Sequence, residues 1–432
     1  MTTKNYFKKF TIPTLFLFLA VNFAVGQTAK LASPQQEKLL NGMNLLIWNV
    51  PTAEKATVKL RIHNGSAFDP QAKEGTMALL SDILFPSQAA KEFFQEDLGG
   101  SLEVTSNFDY IQIDATSDAD QLIKMLDTLA VAIIKLNIDR ETTAKVSAAR
   151  LEKIKELEKN PAHIADLAVA KRLFGDFPYG RPPLGTSESV SKIDFADLIL
   201  ARQRFLTADN ATLAVISNSK PDVVYRAVRR YFGAWEKSDK KVPATFRQPD
   251  APQAGLAIKE FPIDNTSEFR LAFRNVARNN KDFHASEVLA KILQKRLQTR
   301  EGNNAAVSNN AQLLNGSVVL SFSKWNVGRI TKQGEQISLP KTDTIVKDLL
   351  NAPISQEEFE AANLNRLPTT TNDLADWWLD IDTFKLPAFK NEEQNAKNIT
   401  LADVSRIAEL WKKEPLAEFL VIGNYKTEAS NK

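Results

Sequence analysis

The feature that most constrains the fold of this chain is an internal repeat. Residues 192–218 align without a gap on residues 398–424, and seven positions are identical. Both stretches have the pattern of a helix, a polar turn and an apolar strand. Residues 44–62 also align on residues 255–273, so the offsets of 206 and 211 differ by five residues. Agreement at the beginning and at the end of the repeated unit indicates a duplicated chain whose halves share one fold.

Each half has the same order of predicted elements. Strands come first, at residues 44–50 and 55–64 in the first half and at residues 256–261 and 268–273 in the second. Helices follow, with a long strand or a hairpin at residues 101–117, and each half ends in a helix–strand pair. This order predicts an α+β fold of two homologous layered domains, each an antiparallel-rich sheet packed with helices.

The amino terminus has the composition of a secretory signal peptide. Lys4, Lys8 and Lys9 precede an apolar stretch, and the small residues Ala24 and Gly26 stand at positions −3 and −1 of a cleavage site. We therefore expect a secreted, periplasmic protein. The expected organisation is a signal peptide at 1–26, a first domain at 27–235, a linker at 236–254 and a second domain at 255–432. The charged, proline-containing linker is compatible with a hinge between the halves.

Composition limits the classes of partner. The chain has no cysteine, so neither a lipoprotein anchor nor a disulfide is expected. The predicted leader contains three lysines and no acidic residue, so 52 basic and 52 acidic residues remain after it. This balance excludes the basic footprint of a nucleic-acid-binding protein. No later apolar run reaches the roughly 18 residues of a membrane-spanning helix, so no membrane anchor is expected in the mature chain.

The segment Glu74–Phe85 has apolar residues at helical spacing. Ala78, Ser81 and Asp82 stand at positions i, i+3 and i+4 and therefore share one face of this helix. A helix can present metal ligands at that spacing. Here the face carries a methyl group, a hydroxyl and one carboxylate.

Several spaced motifs resemble the insulinase/pitrilysin-like zinc metallopeptidases, which include the subunits of the mitochondrial processing peptidase. The motifs are "LNGMNLLI" at 40–47, "GTMALLSDILF" at 75–85, the stretch from "FPYGRPPLG" to "AVISN" at 177–218, and "VVYRAVRRYFGAW" at 223–235. The resemblance covers nearly the whole chain after the predicted leader.

The resemblance identifies the helix at Glu74–Phe85 as a degenerate zinc helix. Active members carry H-x-x-E-H, in which two histidines bind zinc and the glutamate acts as general base. The first histidine falls on Ala78, the base on Ser81 and the second histidine on Asp82. The later acidic ligand falls near Glu152–Lys153, with its register left open. Because a catalytic zinc needs three protein ligands, we expect no catalytic residue, no metal ligand and no cofactor.

Other candidate sites are weaker. The three histidines, His63, His163 and His284, share no helical turn and are expected at the surface or at helix caps. No G-x-S-x-G turn supports a serine hydrolase.

The substrate-holding arginine and tyrosine of the family fall on Gln298 and Ala305, although Arg296 and Arg300 are close by. The asparagine-rich segment 301–316 is expected to be a mobile polar loop, with a peptide-contacting loop as the alternative.

The strand "SLEVTS" at 101–106 is the remaining functional candidate. In the family the corresponding edge strand pairs with an extended peptide through backbone hydrogen bonds, which need no special side chains. Leu102, Val104 and Ser106 are the candidate residues. An ordinary sheet strand is the alternative.

These observations predict a catalytically inactive homologue. We expect a non-catalytic partner subunit that forms a heterodimer with an active zinc peptidase paralogue and encloses extended peptides. The alternatives are a non-enzymatic scaffold or binding protein, and a divergent metalloendopeptidase that would require zinc.

Overall fold

The first half of the chain forms strands β1 to β6 and helices α1 to α8. The computed structural model describes residues 31–238, 246–264, 266–325, 342, 344–364 and 366–424, so the predicted signal peptide at 1–26 lies outside the described residues. The elements are β1 (Gln35–Lys38), β2 (Asn44–Asn49), β3 (Lys55–Ile62), α1 (Thr76–Leu84), α2 (Gln88–Glu96), β4 (Ser101–Ser106), β5 (Ile111–Asp118), α3 (Leu122–Ile134), α4 (Arg140–Leu157), α5 (Pro161–Phe174), α6 (Ser187–Ser191), α7 (Phe195–Phe205), β6 (Ala211–Ser217) and α8 (Pro221–Phe232).

The second half repeats this plan with fewer strands. Its elements are β7 (Leu256–Asp264), β8 (Ser267–Arg274), α9 (Phe283–Glu301), β9 (Ala305–Asn310), β10 (Ser317–Ser323), α10 (Ile345–Leu349), α11 (Gln356–Asn363), α12 (Thr371–Phe384), α13 (Phe389–Lys397), α14 (Leu401–Trp411) and β11 (Ala417–Asn424).

The two sheets have one topology. The first has the order β1-β2-β6-β3-β5-β4 and the second the order β7-β11-β8-β10-β9. In each sheet the opening strand of the repeat runs parallel to the closing strand, and the other neighbours are antiparallel. Helices α7 and α14 span equivalent residues at the predicted offset of 206. The predicted α+β fold of two homologous layered domains is confirmed.

The gap-free alignment of the repeats is wrong by one residue in the closing strands. Leu213 and Val215 of β6 pack into the first core, whereas Leu420 and Ile422 of β11 pack into the second. The alignment instead matches Leu213 with Phe419, which packs on the opposite face with residues of α5. A one-residue slip changes the face of every side chain in a strand. Both faces of these strands are buried, so their sequences do not show the slip.

Each sheet packs helices of its own half on one face. The first core joins Leu60 and Ile113 of the sheet to Met77, Leu129 and Val228 of α1, α3 and α8. Burial of this kind contributes about 1.5–3 kcal/mol for each large aliphatic side chain.

The other face of each sheet is covered by a helix from the opposite half. Lys59 on β3 lies 2.9 Å from Asp376 of α12, and Arg270 on β8 lies 2.5 Å from Asp166 of α5. From Ala32 onward the chain is one compact unit. A hinge between the halves is therefore opposed by the exchange of helices, because separation would expose both charged faces.

The described part of the linker is attached to α5. Gln253 donates its N–H to the Arg172 carbonyl, and the Arg172 guanidinium donates to the Gly255 carbonyl at 2.6 Å. Phe246 makes edge contacts with the rings of Phe68 and Phe177. The boundaries expected for the domains and linker stay predictions.

Candidate functional site

Helix α1 begins at a position that requires glycine. Gly75 has a φ of 98°, in the left-handed region, and a Cβ there would lie 2.8 Å from the Leu184 carbonyl oxygen. Asp69 accepts hydrogen bonds from the N–H groups of Gly75 at 2.7 Å and Met77 at 2.8 Å. Its carboxylate therefore acts as the cap of the helix. Burial raises the pKa of Asp69 to about 7, against the effect of the two N–H groups.

The three residues at the ligand positions of α1 have structural roles. Ala78 is fully buried, and the Ser81 hydroxyl donates a hydrogen bond back to the Ala78 carbonyl at 2.6 Å. The hydroxyl is thus engaged within its own helix. Asp82, at the position of the second histidine, is half-buried and is the only carboxylate of the three.

Arg150 of α4 lies against this face of α1. Its Nη2 is 2.6 Å from Asp82 Oδ2, its Nε is 2.9 Å from the same oxygen, and Nη2 also donates to the Ala78 carbonyl at 3.2 Å. Arg150 itself is buried. Burial raises the pKa of Asp82, while the guanidinium opposes that shift and favours the ionised carboxylate.

These residues do not fit a zinc ion. A catalytic zinc takes at least three nitrogen, sulfur or carboxylate ligands from the protein, and this face offers one carboxylate that is already paired with a cation. Throughout the described part of the chain, no group of three His, Cys, Asp or Glu side chains could hold a metal ion.

The later acidic ligand was expected near Glu152–Lys153, and of these two residues Lys153 lines the same cavity as Asp82 whereas Glu152 does not. The Glu152 side chain is 71% exposed and pairs with Lys155 on the surface of α4. Arg150, two positions earlier on α4, bonds Asp82 of α1. Positions two apart on a helix do not share a face, so Glu152 and Arg150 cannot both point at α1.

The expectation of surface or cap histidines is wrong for two of the three. His284 is buried, with Nε2 2.7 Å from a carboxylate oxygen of Glu392. His63 has each ring nitrogen 2.9 Å from a threonine hydroxyl, and burial lowers its pKa to about 3. His163 is half-buried, and burial lowers its pKa as well. Tertiary packing, which local sequence does not reveal, encloses these rings.

Strand β4 lies at the edge of the first sheet, beside β5 alone. The N–H of Asn107, just after β4, donates to the Tyr110 carbonyl across the hairpin. Backbone groups alternate between the two sides of a strand, so those of Leu102, Val104 and Ser106 point away from β5. Outside the β4–β5 ladder, no described residue forms a backbone hydrogen bond with their N–H and C=O groups.

A groove of about 350 Å³ runs beside this edge, between β4, α2 and α4. Leu102 and Val104 line it together with Asp82 and Arg150, so helix α1 and the edge strand share one cavity. Ser106 shares the strand face but is not part of the lining. The structure thus brings two of the three candidate edge residues to the cavity that Asp82 and Arg150 line.

The expectation of a mobile polar loop at residues 301–316 is wrong for its centre. Residues Ala305–Asn310 form β9, the edge strand of the second sheet, because they pair in register with β10. Asparagine has low strand propensity, and tertiary pairing overrides it here. Arg296 pairs with Glu358 of α11 at 2.7 Å. At the tyrosine position, Ala305 is buried.

The second edge differs from the first in one backbone group. Pairing with the neighbouring strand places Val307 of β9 in the position that Val104 has in β4. The Val307 N–H donates to the side-chain oxygen of Gln294 on α9. At this position the β9 edge is therefore closed by a side chain of its own half, whereas the β4 edge is open.

Arg150 is the residue that the sequence interpretation missed. It lies within the buried stripe of α4, which consists of Thr143, Val146, Arg150 and Ile154. A single arginine on an otherwise apolar or hydroxyl-bearing helix face was the available signal. A buried guanidinium needs a carboxylate partner, and Asp82 is the acidic residue in the sequence of α1.

Family models match both halves of the chain. Residues 45–187 match the model described as insulinase (peptidase family M16), and residues 192–364 match the model described as peptidase M16 inactive domain.

Individual proteins are also similar to this chain, but over a smaller part of its length. An uncharacterized zinc protease of Rickettsia felis is 24% identical over 216 residues, which are 48% of this chain and 52% of that protein. The chain thus spans about half the length of the curated relatives it matches.

Solved structures share the fold. A peptidase M16 inactive domain from Pseudomonas fluorescens superposes with a TM-score of 0.77 at 17% identity, covering 92% of this chain and 99% of that one. The periplasmic protease PqqL of Escherichia coli superposes with a TM-score of 0.64 at 14% identity, covering 91% of this chain and 47% of that one. With family models matched along both halves, the chain belongs to the insulinase family of peptidases, M16.

Proposed function

We propose that this chain is a catalytically inactive M16 homologue that binds extended peptides and acts as the non-catalytic subunit of an active zinc peptidase paralogue. The observation that carries the proposal is the ion pair between Arg150 and Asp82. A guanidinium bonded to the residue at a ligand position repels a divalent cation and removes the one carboxylate that α1 offers.

The open edge of β4 supports peptide binding. Leu102, Val104 and Ser106 direct unpaired N–H and C=O groups away from the sheet, which is the arrangement that strand addition uses. Leu102 and Val104 are also apolar residues of the lining of the adjacent groove. Strand addition depends on the main chain and so does not require the lost metal ligands.

The proposal also includes a partner subunit and a cellular location. A protein that binds peptides without hydrolysing them gains a function when a second subunit supplies the zinc centre. The amino-terminal segment has the pattern of a signal peptide, and one structural neighbour is a periplasmic protease. Among the described residues, no helix is both long and apolar enough to cross a membrane. We place the heterodimer in the periplasm.

Two measurements on the purified chain of residues 27–432 test the inactivity. We expect zinc well below one ion per chain by elemental mass spectrometry, and no cleavage of a quenched fluorescent peptide library. A matched variant, Arg150→Met, should still lack zinc, because two histidines and the base are absent. Cleavage by the chain alone that a chelator abolishes would overturn the proposal.

Affinity purification from the native host tests the partner role. The tagged chain should recover a paralogue with an intact H-x-x-E-H motif and change the peptidase activity of that paralogue when the two are mixed. A chain that always emerges alone and leaves every paralogue's activity unchanged would contradict the heterodimer. Assembly without any effect on proteolysis would indicate a scaffold instead.

A further inference from the structure

The groove beside β4 has an excess of positive charge. Its lining contains four cationic side chains and one carboxylate: Lys91, Lys145, Lys153, Arg150 and Asp82. Arg150 and Asp82 neutralise each other through their ion pair. The lining therefore has an excess of three positive charges around a cavity of about 350 Å³, and the charge of Lys153 also acts on Asp82. Basic and acidic residues balance over residues 27–432, so this excess is local.

The three lysines are free to meet a ligand. Each is exposed, and none forms an ion pair with another residue that the structure describes. Lys145 and Lys153 are eight residues apart on α4, so they lie on one side of that helix two turns apart. Glu103 is the acidic residue of β4, and it points to the opposite face of the strand from Leu102.

An added strand would direct its side chains toward these lysines. In a strand, alternate side chains lie on the same face, about 7 Å apart. A peptide paired with the outward groups of Leu102 and Val104 would place every second side chain on the face that adjoins the groove. The other side chains would lie on the face that carries Glu103.

We propose that the groove selects extended peptide segments with acidic side chains at alternate positions. This inference rests on the proposed binding of peptides at β4 and names the class of peptide. The lysines favour carboxylates by charge complementarity, while Leu102 and Val104 accept the aliphatic part of a glutamate side chain. A peptide with lysine at the same positions meets like charge and is rejected.

Fluorescence anisotropy with three labelled decapeptides tests the proposal on the chain of residues 27–432. The peptides alternate threonine with glutamate, glutamine or lysine. We expect the glutamate peptide to bind about tenfold more tightly than the glutamine peptide, and the lysine peptide not to bind. The preference should weaken between low and high salt, because the lysines are exposed.

Two variants test whether the three lysines cause the preference for glutamate. Lys91→Gln/Lys145→Gln/Lys153→Gln should remove the preference for glutamate while leaving the glutamine peptide's affinity unchanged. The matched control is Lys155→Gln/Lys159→Gln, which removes two exposed lysines of the α4 end that pair with neighbouring glutamates. This control should keep the preference.

The outcomes separate the two proposals. Equal binding of the glutamate and glutamine peptides would overturn the selection of acidic segments and leave binding at β4 standing. Binding of none of the three peptides would overturn both. A Val104→Pro variant, which removes an outward N–H, should weaken every peptide equally. If this variant binds the glutamate peptide normally, the lysines act on an anion held elsewhere and the proposal is wrong.

Discussion

Asp376 and Asp166 hold the same position in two helices that the halves of this chain exchange. Each is the sixth residue of a fourteen-residue helix, and each bonds a cation on the sheet of the other half, Lys59 and Arg270 respectively. Lys59 and Arg270 are themselves matched by the repeat, at an offset of 211. The duplication therefore preserved a reciprocal contact, and each half depends on the other for one face of its sheet.

The first prediction concerns the independence of the halves. Residues 27–238 expressed alone should aggregate or remain partly unfolded, because α12 is missing from the face that contains Lys59 and Arg61. Co-expression with residues 246–432 should restore a soluble complex that co-purifies and unfolds in one transition. Circular dichroism and size-exclusion chromatography measure both. A stable, monomeric first half with native helix content would contradict the dependence.

A second prediction concerns the buried charges under α12. Asp380 lies 2.7 Å from Arg61 and 3.5 Å from Arg278, and both arginines are buried. Asp380→Ala leaves two buried guanidinium groups without this partner and should lower the free energy of unfolding by about 3 kcal/mol. Urea denaturation measures the loss.

The matched control is Asp376→Ala on the same helix. Its carboxylate is 41% exposed and lies 3.6 Å from Arg61, which keeps its nearer partner Asp380, so the variant should lose about 1 kcal/mol or less. Equal losses from the two variants would show that burial of Arg61 and Arg278 does not determine the cost.

The third prediction concerns the ion pair between Arg150 and Asp82. Arg150→Met should lower the free energy of unfolding by about 2 kcal/mol, because it leaves a half-buried Asp82 carboxylate without its cation. The double variant Asp82→Asn/Arg150→Met should recover part of that loss, since an amide carries no charge. Denaturation of the two single variants and the double variant completes the cycle. Additive losses would show that the two side chains are not coupled.

The fourth prediction concerns pH. Asp109 is buried and accepts a hydrogen bond from the Tyr179 hydroxyl at 2.9 Å, and burial raises its pKa to about 6. In the unfolded chain the pKa is about 3.9, so the unfolded state ionises first as pH rises. The stability that Asp109 contributes is complete below about pH 4 and is lost as pH rises to about 6, by about 2–3 kcal/mol.

Asp109→Asn should remove this part of the pH dependence, because the amide does not titrate and still accepts the Tyr179 hydrogen bond. Urea denaturation from pH 4.5 to 7.5 should show the variant gaining stability relative to the unmodified chain as pH rises. Asp97→Asn, at an exposed position, should follow the profile of the unmodified chain. Parallel profiles for all three proteins would show that Asp109 ionises alike in both states.

Local patterns predicted most of the architecture. The capping boxes of Ser355 with Glu358 and of Thr400 with Asp403 are present and begin α11 and α14. The alternation of apolar residues placed β3 correctly, and a short apolar run placed β2, which is buried on both faces. The prediction for β9 failed although β9 and β10 form a local hairpin, because the asparagines of the segment have low strand propensity and hid its pairing with β10.

The sequence by itself determined the duplicated α+β architecture, the family resemblance and the absence of the two histidines and the base. All three follow from local patterns and residue identities. Only the tertiary structure decided that Arg150 pairs with Asp82, that α5 and α12 are exchanged, and that the β4 edge is open while Gln294 closes the β9 edge. The first two are contacts between residues far apart in the chain, and the third depends on which side chains lie beside each sheet edge. They depend on which helix faces which sheet, and no spacing within one segment specifies that.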